Sequence, residues 1–403
     1  MQIRSFTVHG FAHFDEPITM SPVDTVNAVY GPNQIGKSSF LQSIALYFAL
    51  LGSGESVTRT QPQNMEWSDG DLAPFQHTAF HWHSARPIRY DVTWEISTRD
   101  LDKYGLFPEL PCEKVRTVLE FGLINRALEL RIASWALNDQ DVAAMDRARD
   151  GQQVTFGQQL RRLLADARPF QQENPIMPCR LIGANAEPFP QTLRDALFDA
   201  RQSLDPDTRR RWALFAELSP VFTQELGPGG WETTFDRKTG QADVLWIHEA
   251  SVTPLARVGT GVQRLAGLVA QLVLAFEPGL LLEEPEWKLS PDFQRRLLGV
   301  IRKVVQAGVG PRQLFLSTHS PTLAAHKSGF EMERSEVGLR VVQRPWIAAG
   351  EAVATDADED PPEADLGSLI GLVEDLAELD ESDILRAETP SGTAGGGRPG
   401  PQR

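Results

Sequence analysis

The sequence predicts an α/β fold, and three observations carry the prediction. An apolar run, Val23 to Tyr30, leads into the loop Gly31-Pro32-Asn33-Gln34-Ile35-Gly36-Lys37-Ser38 and then into a helical stretch, Ser38 to Leu51. A second apolar run, Leu280-Leu281-Leu282, stops abruptly at Glu283-Glu284-Pro285-Glu286, as a buried parallel strand does when it meets the edge of a sheet. A third, Gln313-Leu314-Phe315-Leu316-Ser317, exits at Thr318-His319-Ser320-Pro321. Ligands of open α/β sheets gather outside the carboxyl ends of the strands, so the three runs deliver a glycine-rich loop, two consecutive carboxylates and a histidine to one edge.

The first loop fits G-x-x-x-x-G-K-[ST] in the strand–loop–helix setting that this motif requires. Its backbone N–H groups and the positive end of the next helix suit phosphate, with Lys37 reaching β- and γ-phosphates and Ser38 a Mg²⁺ ion. Gly31, Asn33, Gly36 and Ser39 complete the expected nucleotide-binding loop. Glu283 is expected beside the phosphates and the metal, and Glu284 beside an attacking water. A helix-capping role would explain one carboxylate but not two in a row at the end of a buried strand. His319, on the expected neighbouring strand, suits a sensor of the γ-phosphate.

Between these runs the elements follow in order. Alternation in Arg89 to Ile96 and in Val115 to Phe121 predicts antiparallel strands, ending near Trp135. From there to about Glu225 the spacing is helical, with Phe156, Leu160, Leu163 and Leu164, then Leu193, Leu197 and Leu204, interrupted by five prolines from Pro169 to Pro190. No heptad run appears, so a compact helical insert is expected rather than a long coiled-coil arm. A hairpin, Trp231 to Phe235 and Ala242 to Ile247 around the turn Asp236-Arg237-Lys238-Thr239-Gly240, returns the chain to Gly259-Thr260-Gly261-Val262-Gln263-Arg264. The apolar stretch from Leu265 to Phe276 is too short for a membrane span and contains Gln271, so it reads as a buried helix.

In this order the motifs resemble the ABC-type AAA ATPases of the OLD (overcoming-lysogenization-defect) and RecF-like group. The resemblance covers most of residues 1–345, including the opening Met1 to Phe11, which is similar to that group's first strand and turn. It implies an ABC-type P-loop ATPase head: a mixed sheet flanked by helices, with the antiparallel strands as a β-subdomain over the adenine side and the helical insert between two ATPase halves. The implied divisions are 1–130, 131–228 and 229–345, followed by an acidic linker and helix at 346–388 and a tail at 389–403. The resemblance further implies ATP and Mg²⁺ as cofactors and a homodimer or higher homo-oligomer in which Gly259, Gly261 and Gln263 of one chain close over ATP held by the other. A glutamine coupling ATP to the insert is expected after the first helix, with Gln61 and Gln63 as candidates. Two residues depart from the pattern. Glu283 stands where most ABC ATPases have Asp, and Gly259 replaces the signature serine, which points to slow turnover.

The net charge of −15 bears on partners. Residues 351–388 hold fourteen acidic and one basic residue and the last fifteen add two arginines, so residues 1–350 carry only −4. Arg161-Arg162 and Arg209-Arg210-Arg211 are compatible with phosphate contacts or with solvated helix faces, so DNA contact is allowed but not required. Two cysteines, Cys112 and Cys179, imply neither a disulfide framework nor a zinc cluster. The chain opens on a strand rather than a leader, and the expected setting is cytoplasmic, without a membrane. No Asp-x-Asp in a strand setting follows Arg344; Asp356-Ala357-Asp358 lies in a solvated acidic stretch beside Pro361-Pro362. A stripe of Leu366, Leu369, Ile370, Val373, Leu376 and Leu379 suits packing on the head or docking of a separate effector. The resemblance implies a sensor and scaffold of antiviral defence holding a separately encoded effector nuclease. A RecF-like DNA-repair ATPase and a non-hydrolysing assembly protein are the alternatives.

Overall fold

A computed structural model describes residues 2–53, 63–65, 86–96, 113–124, 127–142, 181–182, 187, 189–223, 229–248, 251–275, 279–308, 310–324, 329–335 and 338–344. Along the chain the elements are β1 (Gln2–His9), β2 (Ile18–Met20), β3 (Val26–Tyr30), α1 (Lys37–Ser53), β4 (Gln63–Met65), β5 (Ile88–Glu95), β6 (Lys114–Ile124), β7 (Ala127–Leu137), β8 (Gln140–Asp141) and β9 (Leu181–Ile182). The helices α2 (Gln191–Gln202), α3 (Pro206–Leu218) and α4 (Pro220–Thr223) follow, then β10 (Gly230–Asp236), β11 (Gln241–His248), β12 (Ser251–Pro254) and α5 (Thr260–Leu274). The last group is β13 (Gly279–Glu283), α6 (Pro291–Gln306), β14 (Gln313–Thr318), α7 (Pro321–Ala324), β15 (Gly329–Ser335) and β16 (Gly338–Gln343).

Strand β3 is buried at all five positions because it is central, in the order β16-β15-β3-β14-β13-β9. Every pairing in that sheet from β15 to β9 is parallel, and only β16 runs antiparallel to its neighbour. Side chains of a strand alternate between faces, and here the alternation divides two apolar clusters. Val29, Leu281 and Phe315 join one; Ala28, Leu280, Leu282, Leu314 and Leu316 join the other.

The first cluster lies between two sheets. Antiparallel strands in the order β2-β1-β5-β6-β7-β4, with β8 on β7, form the opposite wall. Between the walls runs α1, whose Phe40, Leu41, Ile44, Leu46, Tyr47, Phe48 and Leu50 are all buried. A helix that is apolar all round has no face to offer water and is stable only when covered on all sides. A polar anchor at this depth is Tyr47, whose hydroxyl accepts from Trp94 Nε1 at 3.0 Å and pairs with Thr117 Oγ1 at 2.8 Å. Burial pushes the Tyr47 phenol well above its ordinary value.

A bulge between Ile3 and Ser5 resets the alternation of β1, so that Ile3 and Phe6 are both buried. It also leaves the Ile3 backbone for the fully sequestered amide of Gln313 at the start of β14. Ile3 N donates to Gln313 Oε1 at 2.7 Å, while Gln313 Nε2 donates to Ile3 O at 2.8 Å and to Asp24 O at 3.1 Å. One side chain thus stitches the two sheets together.

Helices α2 to α6 supply the second cluster. Their starts are written in the sequence: Asp205 accepts from Thr208 N ahead of Pro206, and Ser290 Oγ from Phe293 N ahead of Pro291. The stripe expected to run from Leu193 through Leu197 to Leu204 is corrected here. Leu193 and Leu197 are buried, but α2 ends at Gln202, Ser203 is extended, and Leu204 is 89% exposed in the turn before the Asp205 cap. The arginine triplet is also accounted for in part: Arg211 Nη1 donates to Val273 O (2.9 Å) and Ala275 O (2.6 Å), capping α5, and Arg209 donates to Ser203 O. Arg210 is exposed.

The expected hairpin forms as β10–β11, with Phe235 opposite Ala242, around a turn ending at Gly240, φ +70°, and β12 adds a third strand. Strand β7 continues past residue 130, and residues Met1–Ala348 make one unit while Ala349–Arg403 make another. Residues 143–180, with Phe156, Leu160, Leu163, Leu164, Arg161 and Arg162, lie outside the described residues, as do Gln61, Cys112, Cys179 and the whole of 346–403, including the acidic helix. Among the described residues no helix is long and apolar enough to cross a membrane.

Candidate functional site

Strands β3, β14 and β13 are adjacent and parallel, so the turns that follow them are neighbours. After β3 the backbone passes through Gly31 at φ +148°, Gln34 at +60° and Gly36 at +111°. Alternation of left- and right-handed residues turns successive N–H groups toward one side, the concavity that receives anions. At both glycines a side chain would be strained. A Cβ on Gly31 would stand 2.5 Å from Met332 O, and one on Gly36 2.7 Å from His13 Nε2. Helix α1 begins at Lys37, which is 5% exposed and whose Nζ donates to Gly31 O (3.0 Å) and Pro32 O (2.9 Å) across the loop. Burial pulls the Lys37 ammonium below its ordinary value, while Glu284 and Glu286 act in the opposite sense.

After β13 the chain turns sharply at Glu284, a non-glycine residue at φ +43° whose N–H donates to Ser317 O at 2.9 Å. Such an outlier is held in place by its surroundings and calls for a use. Its carboxylate Oε1 lies 3.3 Å from His319 Nε2. Glu286, two residues on, accepts the His319 backbone N–H on Oε1 at 2.6 Å, and Ser320 Oγ donates to Gln294 Oε1 at 2.7 Å, so the histidine's backbone is braced on both sides.

These turns enclose a cleft of about 810 Å³. Of the residues expected from the sequence, Asn33, Gly36, Lys37, Ser38, Ser39, Glu284 and His319 line it. Glu283 does not, but it pairs in register with Ser317 and, by alternation from Leu281, faces the α1 side. Ser317 shares that face, and its hydroxyl is buried without a protein hydrogen-bond partner. Gly259 is the exposed N-cap of α5, and Gly261 packs against Phe293 and Lys288 O; neither lines this cleft. The Gln263 amide donates to Ala256 O (3.1 Å) and Val258 O (2.8 Å), bracing the approach to its own helix. Gln63 belongs to β4, antiparallel to β7, rather than to the turns around the cleft.

Four further residues line the cleft and were not singled out from the sequence, among them Gln34 of the glycine-rich loop. Glu286 was visible only as a third carboxylate. Trp287, 47% exposed, had no pattern to mark it. His13, whose ring meets Phe14 edge-on at 4.8 Å, comes from the turn between β1 and β2, and only folding brings that turn to the loop.

Comparison with known proteins adds the following. Residues 151–324 match the family model described as AAA ATPase domain, a span that takes in α5, β13 and β14 and begins beyond the glycine-rich loop. No curated protein matches. Among solved structures, the chain is similar to an SmcHead bound to the C-winged helix domain of ScpA (15% identity, TM-score 0.49, covering 85% of this chain and 98% of that one). It is also similar to the SMC head domain from Thermotoga maritima (12%, 0.45, 85% and 99%). A third is an Smc head domain with an extended coiled coil bound to the C-terminal domain of ScpA, derived from Pyrococcus furiosus (12%, 0.48, 94% and 100%). The loop, the carboxylate turn and the histidine on three adjacent parallel strands, together with the family match across two of those strands, support a P-loop ATPase domain.

Proposed function

We propose that this protein binds and slowly hydrolyses ATP in the cleft between the glycine-rich loop and the β13 and β14 turns. The observation that carries the reading is Glu284. A carboxylate held at positive φ, 3.3 Å from a histidine and beside a phosphate-type loop, suits a general base whose position is fixed before substrate arrives. Lys37 would neutralise the β- and γ-phosphates, the loop N–H groups would orient them, and Glu284 would take a proton from the attacking water. His319 Nε2 would meet the transferred phosphoryl group.

The donor set suits Mg²⁺: a Ser38 hydroxyl, the Glu283 carboxylate on the α1 face and the unpartnered Ser317 hydroxyl beside it are all hard oxygen donors. A small hard ion is usually held by one or two such groups together with substrate phosphates. When bound, the ion would stabilise charge developing on the phosphate oxygens.

The finer reading joins this site to the motif order. Two heads would pair head to tail, the exposed start of α5 at Gly259 and Gly261 meeting the partner's nucleotide, and the dimer would act as sensor and scaffold for a separate effector, a nuclease, in antiviral defence. Glycine at 259 removes a hydroxyl from that contact and supports slow turnover. The test is the mass in solution with and without ATP–Mg²⁺ for wild type and Glu284→Gln. Mass doubling that depends on ATP and persists in the variant supports the paired head. An ATP-independent mass, or Glu284→Gln hydrolysing at the wild-type rate, overturns it.

A further inference from the structure

Two cationic side chains are buried among the described residues, Lys37 and Arg264. Lys37 belongs to the loop; Arg264 has no role in the site above. It lies in the second turn of α5, 2% exposed, and its Nε and Nη2 find no protein hydrogen-bond acceptor. Burial disfavours its charge, and the carboxylate that offsets this is Glu286. Glu286 is incomplete in the complementary way. Oε1 accepts the His319 N–H, whereas Oε2 is buried with no partner.

Two nitrogens of a buried guanidinium are without acceptors, and one oxygen of the carboxylate whose charge acts on it is without a donor. Each group left so is costly, by far more than an exposed ion pair is worth. Unsatisfied buried groups of this kind call for an account in terms of use. Their positions suggest one. Arg264 is five residues from Gly259, the exposed and uncapped start of α5. Glu286 sits in the turn after Glu284, holds the backbone of His319, lines the cleft and acts on the charge of Lys37.

We propose that Arg264 is a positioning residue: by engaging Glu286 Oε2 it sets the Glu284–Glu286 turn and the backbone of His319, and so relays the state of the exposed end of α5 to the hydrolytic groups of the same chain. The inference rests on the reading of the cleft as an ATPase site. It adds a connection within one head between the surface that meets a partner and the groups that act on phosphate.

The experiment compares wild type, Arg264→Lys, Arg264→Met, Glu286→Gln and the Arg264→Met/Glu286→Gln double variant. ATP–Mg²⁺ affinity, steady-state phosphate release and the urea midpoint are measured on each full chain. Arg264→Met is expected to lower kcat by at least about tenfold with nucleotide affinity within about twofold and no loss of stability in the nucleotide-free chain, where Arg264 Nε and Nη2 make no protein hydrogen bond to lose. Arg264→Lys should recover part of the rate. The double variant should be no slower than the slower single variant, because both changes cut one connection. Arg264→Met turning over at the wild-type rate, rates that multiply in the double variant, or a rate loss that tracks a lowered urea midpoint would each overturn the proposal. A wild-type chain that neither binds nor hydrolyses ATP would instead sink the reading of the site, and this inference with it.

Discussion

Replacing Glu284 by Gln and by Gly separates what this residue costs the fold from what it gives the site. At φ +43° a residue with a Cβ pays about 1–2 kcal/mol relative to right-handed backbone. Glycine removes that strain but loses roughly 0.5–1 kcal/mol more in the unfolded chain. Subtracting, Glu284→Gly should be more stable than Glu284→Gln by up to about 1.5 kcal/mol. The Gln variant is the right reference because it already lacks the charge facing Lys37 and His319, so the Gln-to-Gly step isolates backbone conformation. Both variants should lose about 10²–10⁴-fold in phosphate release, the usual contribution of a positioned general base. Urea unfolding followed by fluorescence gives the first quantity and steady-state phosphate release the second. Were Glu284→Gly less stable than Glu284→Gln, the positive φ would not be stored strain, and the argument from strain to function would collapse.

Other perturbations test other parts. Lys37→Ala removes the ammonium that spans Gly31 O and Pro32 O and should abolish measurable ATP binding in calorimetry; retained micromolar binding would contradict the phosphate role. Gln313→Leu takes this partner from Ile3 N–H and Ile3 O, while Asp24 O keeps its bond from Asn27 Nδ2, so at about 1–1.5 kcal/mol per lost bond it should destabilise the chain by about 2–3 kcal/mol. A urea shift worth under about 1 kcal/mol would mean that those groups re-pair. Lys37 also makes a signed pH prediction. Its folded value lies below the ordinary 10.5, so between the two the unfolded chain binds more protons, and stability without nucleotide should rise with pH in that window. Tyr47 and Tyr90, both raised by burial, work in reverse above their ordinary value of 10, so the Lys37 contribution is read as the difference from Lys37→Met, which should lack it.

The strands that carry the site were legible because buried parallel strands read as unbroken apolar runs bounded by polar residues, and all three runs met at one edge. Glu284, His319 and the loop therefore came from local spelling. His13 did not, since its proximity to Gly36 depends on how the β1–β2 turn folds over the loop. Nor did Arg264 and Glu286, whose interest lies in the hydrogen bonds they lack. The Leu204 error has a local cause: helical spacing continued through a Ser203-to-Asp205 break whose capping signal, Asp-Pro, outranks periodicity. The arginine triplet shows the limit of reading charge from sequence, because Arg211 spends itself on the carbonyls at the end of α5, a partner sixty residues away.

The place of β3 has a consequence for how the protein is made. Its two sheet neighbours, β14 and β15, begin at Gln313 and Gly329, so nearly three hundred residues separate this fully buried strand from the backbone it must pair with. At roughly 5–20 residues per second of synthesis, the apolar strand and the glycine-rich loop wait about 15–60 s outside the ribosome before their lattice exists. Nascent chains halted before β14 should be protease-sensitive around the loop and depend on chaperone holding, whereas release of the completed chain should protect the loop in one step.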